Sequence, residues 1–312
     1  MPAMPVDVSW QVLRHIVHDW AGTSAELDEV KPLEGGSIST TLALRTRSGD
    51  RAVLKITPHR VDRSYADEAA QLRLLRQVGL PVPDVYSTFS GSLDRPFSYL
   101  LLEMVDGQDL AATKGCCTAE EFDRIQSELA ELMLRLHANT GSHYMRVSHQ
   151  EPKRFDNWAH CYREIYDAIW HEVEKTPNLL PPKSRKTVAR VHERLERLLG
   201  HDDAPRLAHG DVWSSNLLVR QDGDGNWRIA ALLDPNCRYA HCECELAYME
   251  LFNTVTPTFL KAYQQTRRLP AEYHRVRKPV YQLYEMLNHV RLFGPEYVKP
   301  TIAAIDRVAP LV

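Results

Sequence analysis

The feature that most constrains this chain is a change of pattern at Asp106-Gly107. Before it, short β-like runs alternate with turn residues; after it, apolar residues recur at helical spacing. Thr41-Leu-Ala-Leu-Arg-Thr46 and Ala52-Val-Leu-Lys-Ile56 flank Ser48-Gly49-Asp50 and predict a hairpin. Ala69, Leu72, Leu75 and Val78 predict a helix over residues 64–78, stopped by Gly79 and the loop Pro81-Val-Pro83. The apolar run 97–105 is too short for a long helix and is expected to be a buried strand.

Beyond the break, Thr118 and Glu121 form a capping box ahead of Phe122, Ile125, Leu129, Leu132, Met133 and Leu136, which predicts a helix ending near His137. Further helices are expected over residues 155–175, 183–199 (after Pro181-Pro182) and 279–293, with two short strands, 216–220 and 227–233, around the turn Asp222-Gly-Asp-Gly225. The expected fold is α+β and bilobal, with a small β-rich N-lobe over residues 1–105 and a larger, mostly helical C-lobe over residues 106–312.

Composition narrows the function classes. A chain of 312 residues, 44% hydrophobic, can bury one large core or two modest ones. A formal charge of -3 with both signs scattered leaves no basic field for nucleic acid or an acidic membrane. The opening segment lacks a basic stretch followed by an apolar run, and no stretch approaches the ~18 apolar residues of a membrane span. Six irregularly placed cysteines do not suggest a disulfide framework, so a cytoplasmic protein with free thiols is expected. Cys237, His241, Cys242 and Cys244 lie close in sequence but lack the paired spacing of a tetrahedral zinc site.

The chemistry concentrates in Leu207-Ala-His-Gly-Asp-Val-Trp-Ser-Ser-Asn-Leu-Leu-Val219, where the carboxylate Asp211 precedes the amide Asn216 in a loop running into a strand. Phosphoryl transfer needs such a pair: one group to orient and deprotonate a hydroxyl, another to hold Mg²⁺ without adding a full negative charge. Asp234 follows at the end of the apolar strand Ala230-Ala-Leu-Leu-Asp, placed to ligate Mg²⁺ on a nucleotide's phosphates. Singly, these would be a turn residue, a strand-edge amide and a loop cap. Their joint order behind His209-Gly210 makes them one unit.

Upstream, Lys55 in a β-like run can pair with phosphates, and Glu68 on the following helix can orient it; taken alone, both could be ordinary surface charges. Gly35-Gly36-Ser37 could bring backbone N–H groups close to phosphate oxygens, although Gly-Gly is commonly only a turn. There is no Walker motif.

These residues resemble the aminoglycoside phosphotransferase-like kinases and, among them, the fructosamine (ketosamine) kinase family. The resemblance covers most of the chain and rests on Gly35-Gly-Ser-Ile-Ser39, Ala52-Val-Leu-Lys55, Leu101-Leu-Glu-Met104, His209-Gly-Asp-Val-Trp-Ser-Ser-Asn216 and Leu233-Asp-Pro235. The stretches Tyr239-Ala-His-Cys-Glu-Cys-Glu-Leu-Ala-Tyr-Met-Glu-Leu-Phe252 and Tyr281-Gln-Leu-Tyr-Glu-Met-Leu-Asn-His-Val-Arg-Leu-Phe-Gly294 look particularly like fructosamine kinases. The resemblance implies ATP and Mg²⁺, with Asp211 as base, Asn216 and Asp234 as metal ligands, and Lys55 on the phosphates with Glu68 as its partner. It also implies adenine contacts through backbone groups near Glu103 and Val105, and Trp213 as a wall of the sugar site. Ser37 stands where some members carry cysteine, Asn236 and Ala240 replace the usual Ala and Gly, and Glu245 stands where Asp is common. Residues 141–206 match the family poorly beyond Phe155-Asp-Asn157.

The expected activity is therefore a kinase for a small hydroxylated acceptor, a ketosamine or related sugar-amine. An antibiotic phosphotransferase is the alternative, and a non-catalytic nucleotide-binding scaffold a third reading. Residues 151–205 hold ten Asp/Glu and ten Lys/Arg, so nothing there favours a polycationic acceptor. A protein kinase is disfavoured by His-Gly-Asp and Asp-Pro-Asn in place of His-Arg-Asp and Asp-Phe-Gly. His137, His209, His241 and His289 are expected to hold loops in shape, and Tyr281, Tyr284 and Leu287 to pack a helix.

Overall fold

A computed structural model describes residues 8–33, 40–58, 65–92, 95–176 and 179–312. The fold is α+β, and the chain divides into two compact units. The first comprises the described residues of Met1–Gly107 with Ser148–Glu151 and Ala230–Pro235; the second comprises those of Gln108–Val147, Pro152–Ile229 and Asn236–Val312.

The first unit opens with helix α1 (Trp10–Ala21), capped by Ser9, whose hydroxyl accepts the Val12 N–H. Strands β1 (Leu27–Pro32), β2 (Thr40–Thr46) and β3 (Arg51–Pro58) lead to helix α2 (Tyr65–Gln77), followed by β4 (Val85–Ser90) and β5 (Phe97–Glu103). The sheet is antiparallel in the order β1-β2-β3-β5-β4, and the expected hairpin is β2-β3, with Leu42 opposite Leu54. Side chains alternate across a strand, so Leu54 and Ile56 face a core shared with Leu13, Ile16 and Val17 of α1. Lys55, between them, points to the other face, toward α2.

The second unit begins with β6 (Gln108–Asp109), the short helix α3 (Leu110–Thr113) and helix α4 (Ala119–His137). The capping box of α4 is complete: the Glu121 N–H donates to the Thr118 hydroxyl at 3.2 Å, and the Thr118 N–H to the Glu121 carboxylate at 2.7 Å. Then come β7 (Met145–Arg146), α5 (Trp158–Glu174), α6 (Pro182–Glu193), α7 (Leu195–Leu199), β8 (Arg206–Ala208), β9 (Leu217–Gln221), β10 (Trp227–Leu232), which carries the chain into the first unit, and β11 (Arg238–Ala240). Helices α8 (Glu243–Leu251), α9 (Pro257–Thr266), α10 (Lys278–Phe293) and α11 (Val298–Val308) complete the unit. Among the described residues no helix is long and apolar enough to cross a membrane.

The helix expected over residues 183–199 is instead two, because Arg194 leaves helical geometry at φ -108, ψ 11. The turn buries Leu195, Leu198 and Leu199, a packing gain that helical periodicity alone does not encode. Tyr281 behaves as expected: it is buried, its ring packs on Trp158 and Tyr162, and its hydroxyl accepts the Trp158 indole N–H at 2.9 Å.

The rings of His201 and His241 stack at 3.6 Å. Burial, then the Arg277 charge, depresses His201 to about 4; burial, then His201 itself, holds His241 well below its ordinary value. The unfolded chain therefore binds more protons, and stability is full above the ordinary histidine pKa and declines as pH falls toward the folded value. Urea unfolding should lose on the order of 2 kcal/mol of stability between pH 7 and 5, and His201→Gln should flatten that decline.

Candidate active site

In the first unit, the buried Lys55 ammonium meets two carboxylates. Its Nζ lies 2.5 Å from Glu68 Oε1 on α2 and also bonds Asp234 Oδ1, just past β10. Burial works against the charge on Lys55, but Glu68 and then Asp234 outweigh it and raise its pKa. Chain geometry produces this meeting: β3 alternation aims Lys55 at the first turn of α2, and β10 delivers Asp234 to the same unit after its Leu232 N–H bonds the Pro81 carbonyl at 2.8 Å. Asp234 holds φ 55, a left-handed conformation that Asp tolerates better than most side chains, and its carboxylate remains nearly half exposed.

Glu103 ends β5, and its side chain accepts the Asp84 N–H at 3.0 Å, so the carboxylate has a structural task. Val105 follows beyond the strand, where no other described residue bonds its backbone groups. Gly35, Gly36 and Ser37 lie outside the described residues.

In the second unit, β8 runs into His209-Gly210-Asp211. The His209 carbonyl accepts the Asn236 N–H at 2.8 Å, and the Gly210 N–H donates to Glu245 Oε1 at 2.6 Å. Glu245, buried on α8, also bonds His137 Nε2 at 2.8 Å, and His137 Nδ1 meets the Tyr263 hydroxyl at 2.8 Å. Burial alone would raise the Glu245 pKa, but His137 and the Gly210 N–H bring it below the ordinary value. The buried His209 ring accepts the Asp211 N–H through Nδ1 at 3.3 Å, the loop-shaping role expected of it.

This loop presents the Asp211 carboxylate with both oxygens engaged. Asn216 Nδ2 donates to Oδ2 at 3.0 Å and to the Asp211 carbonyl at 3.1 Å, and the Tyr248 hydroxyl donates to Oδ1 at 2.6 Å. Asp211 is thereby held by a donor on each of its two carboxylate oxygens. Burial and then the Asp211 charge push the Tyr248 phenol up, so it stays protonated and can donate. Asn216 spends its amide nitrogen on Asp211, and its Oδ1 carries no hydrogen bond from another described residue. That carbonyl and the Asp234 carboxylate are hard oxygen donors of the kind Mg²⁺ accepts. Trp213 stands in the same loop, 40% exposed.

The structure thus brings Lys55, Glu68 and Asp234 together in one unit, and Asp211 and Asn216 together in the other. Sequence reading missed Tyr248 and the tether Glu245. The available signal was a helix, Glu243–Leu251, whose acidic residues Glu243 and Glu245 fall on buried positions. Cys237 and Cys242 are buried, with burial pushing Cys242 to about 12. Among the described residues no group of three His, Cys, Asp or Glu is placed to hold a metal ion.

A sequence profile described as fructosamine kinase matches residues 9–310. The probable ketoamine kinase YniA of Escherichia coli (strain K12) is 26% identical over 300 residues, covering 96% of this chain and 99% of that one. A protein from Haemophilus somnus 129PT assigned as a fructosamine-3-kinase superposes with a TM-score of 0.75 at 21% identity, covering 96% of this chain and 97% of that one. A thermostable mutant of aminoglycoside phosphotransferase APH(4)-Ia, in ternary complex with AMP-PNP and hygromycin B, has the same fold: TM-score 0.66 at 16% identity, over 95% of this chain and 98% of that one.

Gly210 sits at φ 81, and a Cβ there would lie 2.2 Å from the Asn236 carbonyl oxygen. Gly210→Ala should therefore lower the thermal unfolding temperature by several degrees, equivalent to about 2 kcal/mol or more, and disturb the loop that presents Asp211.

Proposed function

This chain belongs to the fructosamine kinase family, and on that premise we propose that it transfers the γ-phosphoryl group of ATP to a hydroxyl of a ketosamine or related sugar-amine. Family membership makes it a phosphotransferase acting on small molecules. The observation that carries the finer reading is the Asp211 carboxylate, fixed in orientation by Asn216 and Tyr248. In this reading Asp211 orients the acceptor hydroxyl and takes its proton, while the hydroxyl oxygen bonds to the γ-phosphorus and the bond to the departing ADP oxygen breaks.

The described residues of 1–105 bind the nucleotide. Lys55 meets the phosphates and Glu68 holds it in place, so its charge is pre-positioned and needs little reorganisation. Glu103 and Val105 approach the adenine through their backbone, and the sequence assigns Gly35, Gly36 and Ser37 to the nucleotide phosphates. Residues 106–312 supply the base and the acceptor pocket, with Trp213 as one wall. Mg²⁺, when bound, neutralises charge on the transferring phosphoryl group. Asn216 Oδ1 and the Asp234 carboxylate are the residues that would hold it. Six cysteines without disulfides and dependence on ATP suit the cytoplasm. The likeness to aminoglycoside phosphotransferases is one of fold, at 16% identity, and carries no acceptor with it.

With Mg²⁺-ATP, ADP release should appear on fructosamines or ribulosamines in a panel that also includes aminoglycosides and nucleoside antibiotics. Asp211→Asn should lower turnover by at least about 10²-fold while nucleotide still binds. Turnover confined to the antibiotics would move the function to resistance. Tyr248→Phe should reduce kcat about tenfold with a smaller change in KM, because it frees one side of the Asp211 carboxylate.

A further inference from the structure

Between β7 and α5 the chain contributes a short span, Ser148–Glu151, to the first unit. Its donors converge on one oxygen of Asp67 in α2. The Ser148 hydroxyl donates to Asp67 Oδ1 at 2.8 Å, the His149 N–H donates to it at 2.8 Å, and His149 Nδ1 lies 2.6 Å from it. The Ser148 hydroxyl also accepts the Gln150 N–H at 3.1 Å, which closes the span into a turn and keeps these donors aimed the same way.

An acidic residue in the first turn of a helix is commonplace, because it answers the positive end of the helix dipole, and it can do so while facing water. Asp67 does not face water: its side chain is 14% exposed, and these partners come from a segment remote in sequence. Burial works to raise the Asp67 carboxyl, but the bonds from His149 and Ser148 outweigh it and hold it below its ordinary value. An ionised carboxylate only accepts, so the proton of the ring bond sits on His149 Nδ1.

The next residue is Glu68, which holds Lys55. Successive residues of an α-helix point about 100° apart around its axis, so the first turn of α2 is anchored in two directions, by Glu68 to β3 and by Asp67 to the 148–151 span. One anchor leaves a helix able to turn about its axis; two in different directions fix that rotation. Leu72 and Leu75 are buried farther along α2, but apolar contact is non-directional and sets the rotation less sharply.

We propose that Ser148 and His149 are positioning residues for the nucleotide's phosphates: through Asp67 they fix the rotation of α2, and that rotation keeps Glu68 on Lys55. This role rests on the nucleotide reading above, in which Lys55 meets the phosphates. With Asp67 released, α2 turns more freely, Glu68 draws away, and Lys55 is left to its other partner, Asp234, so its ammonium no longer stands pre-positioned for a phosphate. The adenine, met by backbone groups near Glu103 and Val105, is untouched by this rotation.

The test compares the dissociation constants of AMP-PNP with Mg²⁺ and of adenosine, measured by equilibrium titration of the full chain without acceptor. Asp67→Ala removes every one of these bonds and should weaken AMP-PNP about tenfold while leaving adenosine within about twofold. His149→Ala removes only the ring bond and should weaken AMP-PNP about threefold, and His149→Asn, whose amide N–H can stand in for that of Nδ1, should restore it. In a Glu68→Gln background, Asp67→Ala should add little further, because its effect runs through Glu68. Equal losses for adenosine and AMP-PNP, a full additional loss in the Glu68→Gln background, or His149→Asn as weak as His149→Ala would each overturn the positioning role, as would unchanged AMP-PNP binding in Asp67→Ala. His149 is exposed, so its two variants decide the question should Asp67→Ala fail to fold. No acceptor enters the measurement, so failure of the ketosamine reading leaves this role standing. Wild-type protein that binds neither AMP-PNP nor adenosine would overturn the nucleotide reading and this role together.

Discussion

One buried carboxylate organises the helical unit. Glu245 lies in α8, bonds His137 at the end of α4, and accepts the N–H of Gly210 in the loop after β8. Three segments distant in sequence are thereby held by one group in a low-dielectric setting, where a satisfied hydrogen bond is strong and an unsatisfied one costly. The arrangement explains why the loop can adopt the tight path that Gly210 makes possible, with the Asn236 backbone pressed against it. Asp211 is presented by a loop whose position is fixed from beneath.

A comparable constraint acts in the sheet unit, where a lysine is buried because it is paired. Lys55 is surrounded by the apolar residues of β3 and β5, and Glu68 and Asp234 hold its charge there. Removing one partner from such a set leaves an uncompensated buried charge, so the set acts as a unit. Glu68 has little exposure, whereas Asp234 keeps an open side and a backbone conformation set by its turn. The inner partner is suited to orienting the lysine, and the outer one to meeting a ligand.

Much of this was legible in the chain. The hairpin β2-β3 follows from two short β-like runs flanking Ser48-Gly49-Asp50, and α4 announces itself through Thr118 and Glu121. Helix α1 went unread, although Leu13, Ile16 and Val17 form a buried stripe with Val12, Trp20 and Ala21 packed beside it. Strand β4 is an edge strand without a fully buried residue, so its alternation is faint. The break at Arg194 was invisible because the apolar spacing continues through it.

The sequence by itself made the residues of the candidate site legible: Lys55, Glu68, Asp211, Asn216 and Asp234 stand out by residue type, order and spacing, since Asp211, Asn216 and Asp234 fall within one short stretch of loop and strand. Tertiary structure alone decided the support. That Tyr248 bonds Asp211 and that Glu245 tethers Gly210 are facts about side chains brought together by packing from separate elements. No periodicity records such meetings, because a helix or strand pattern specifies which face is buried and leaves open what that face will touch.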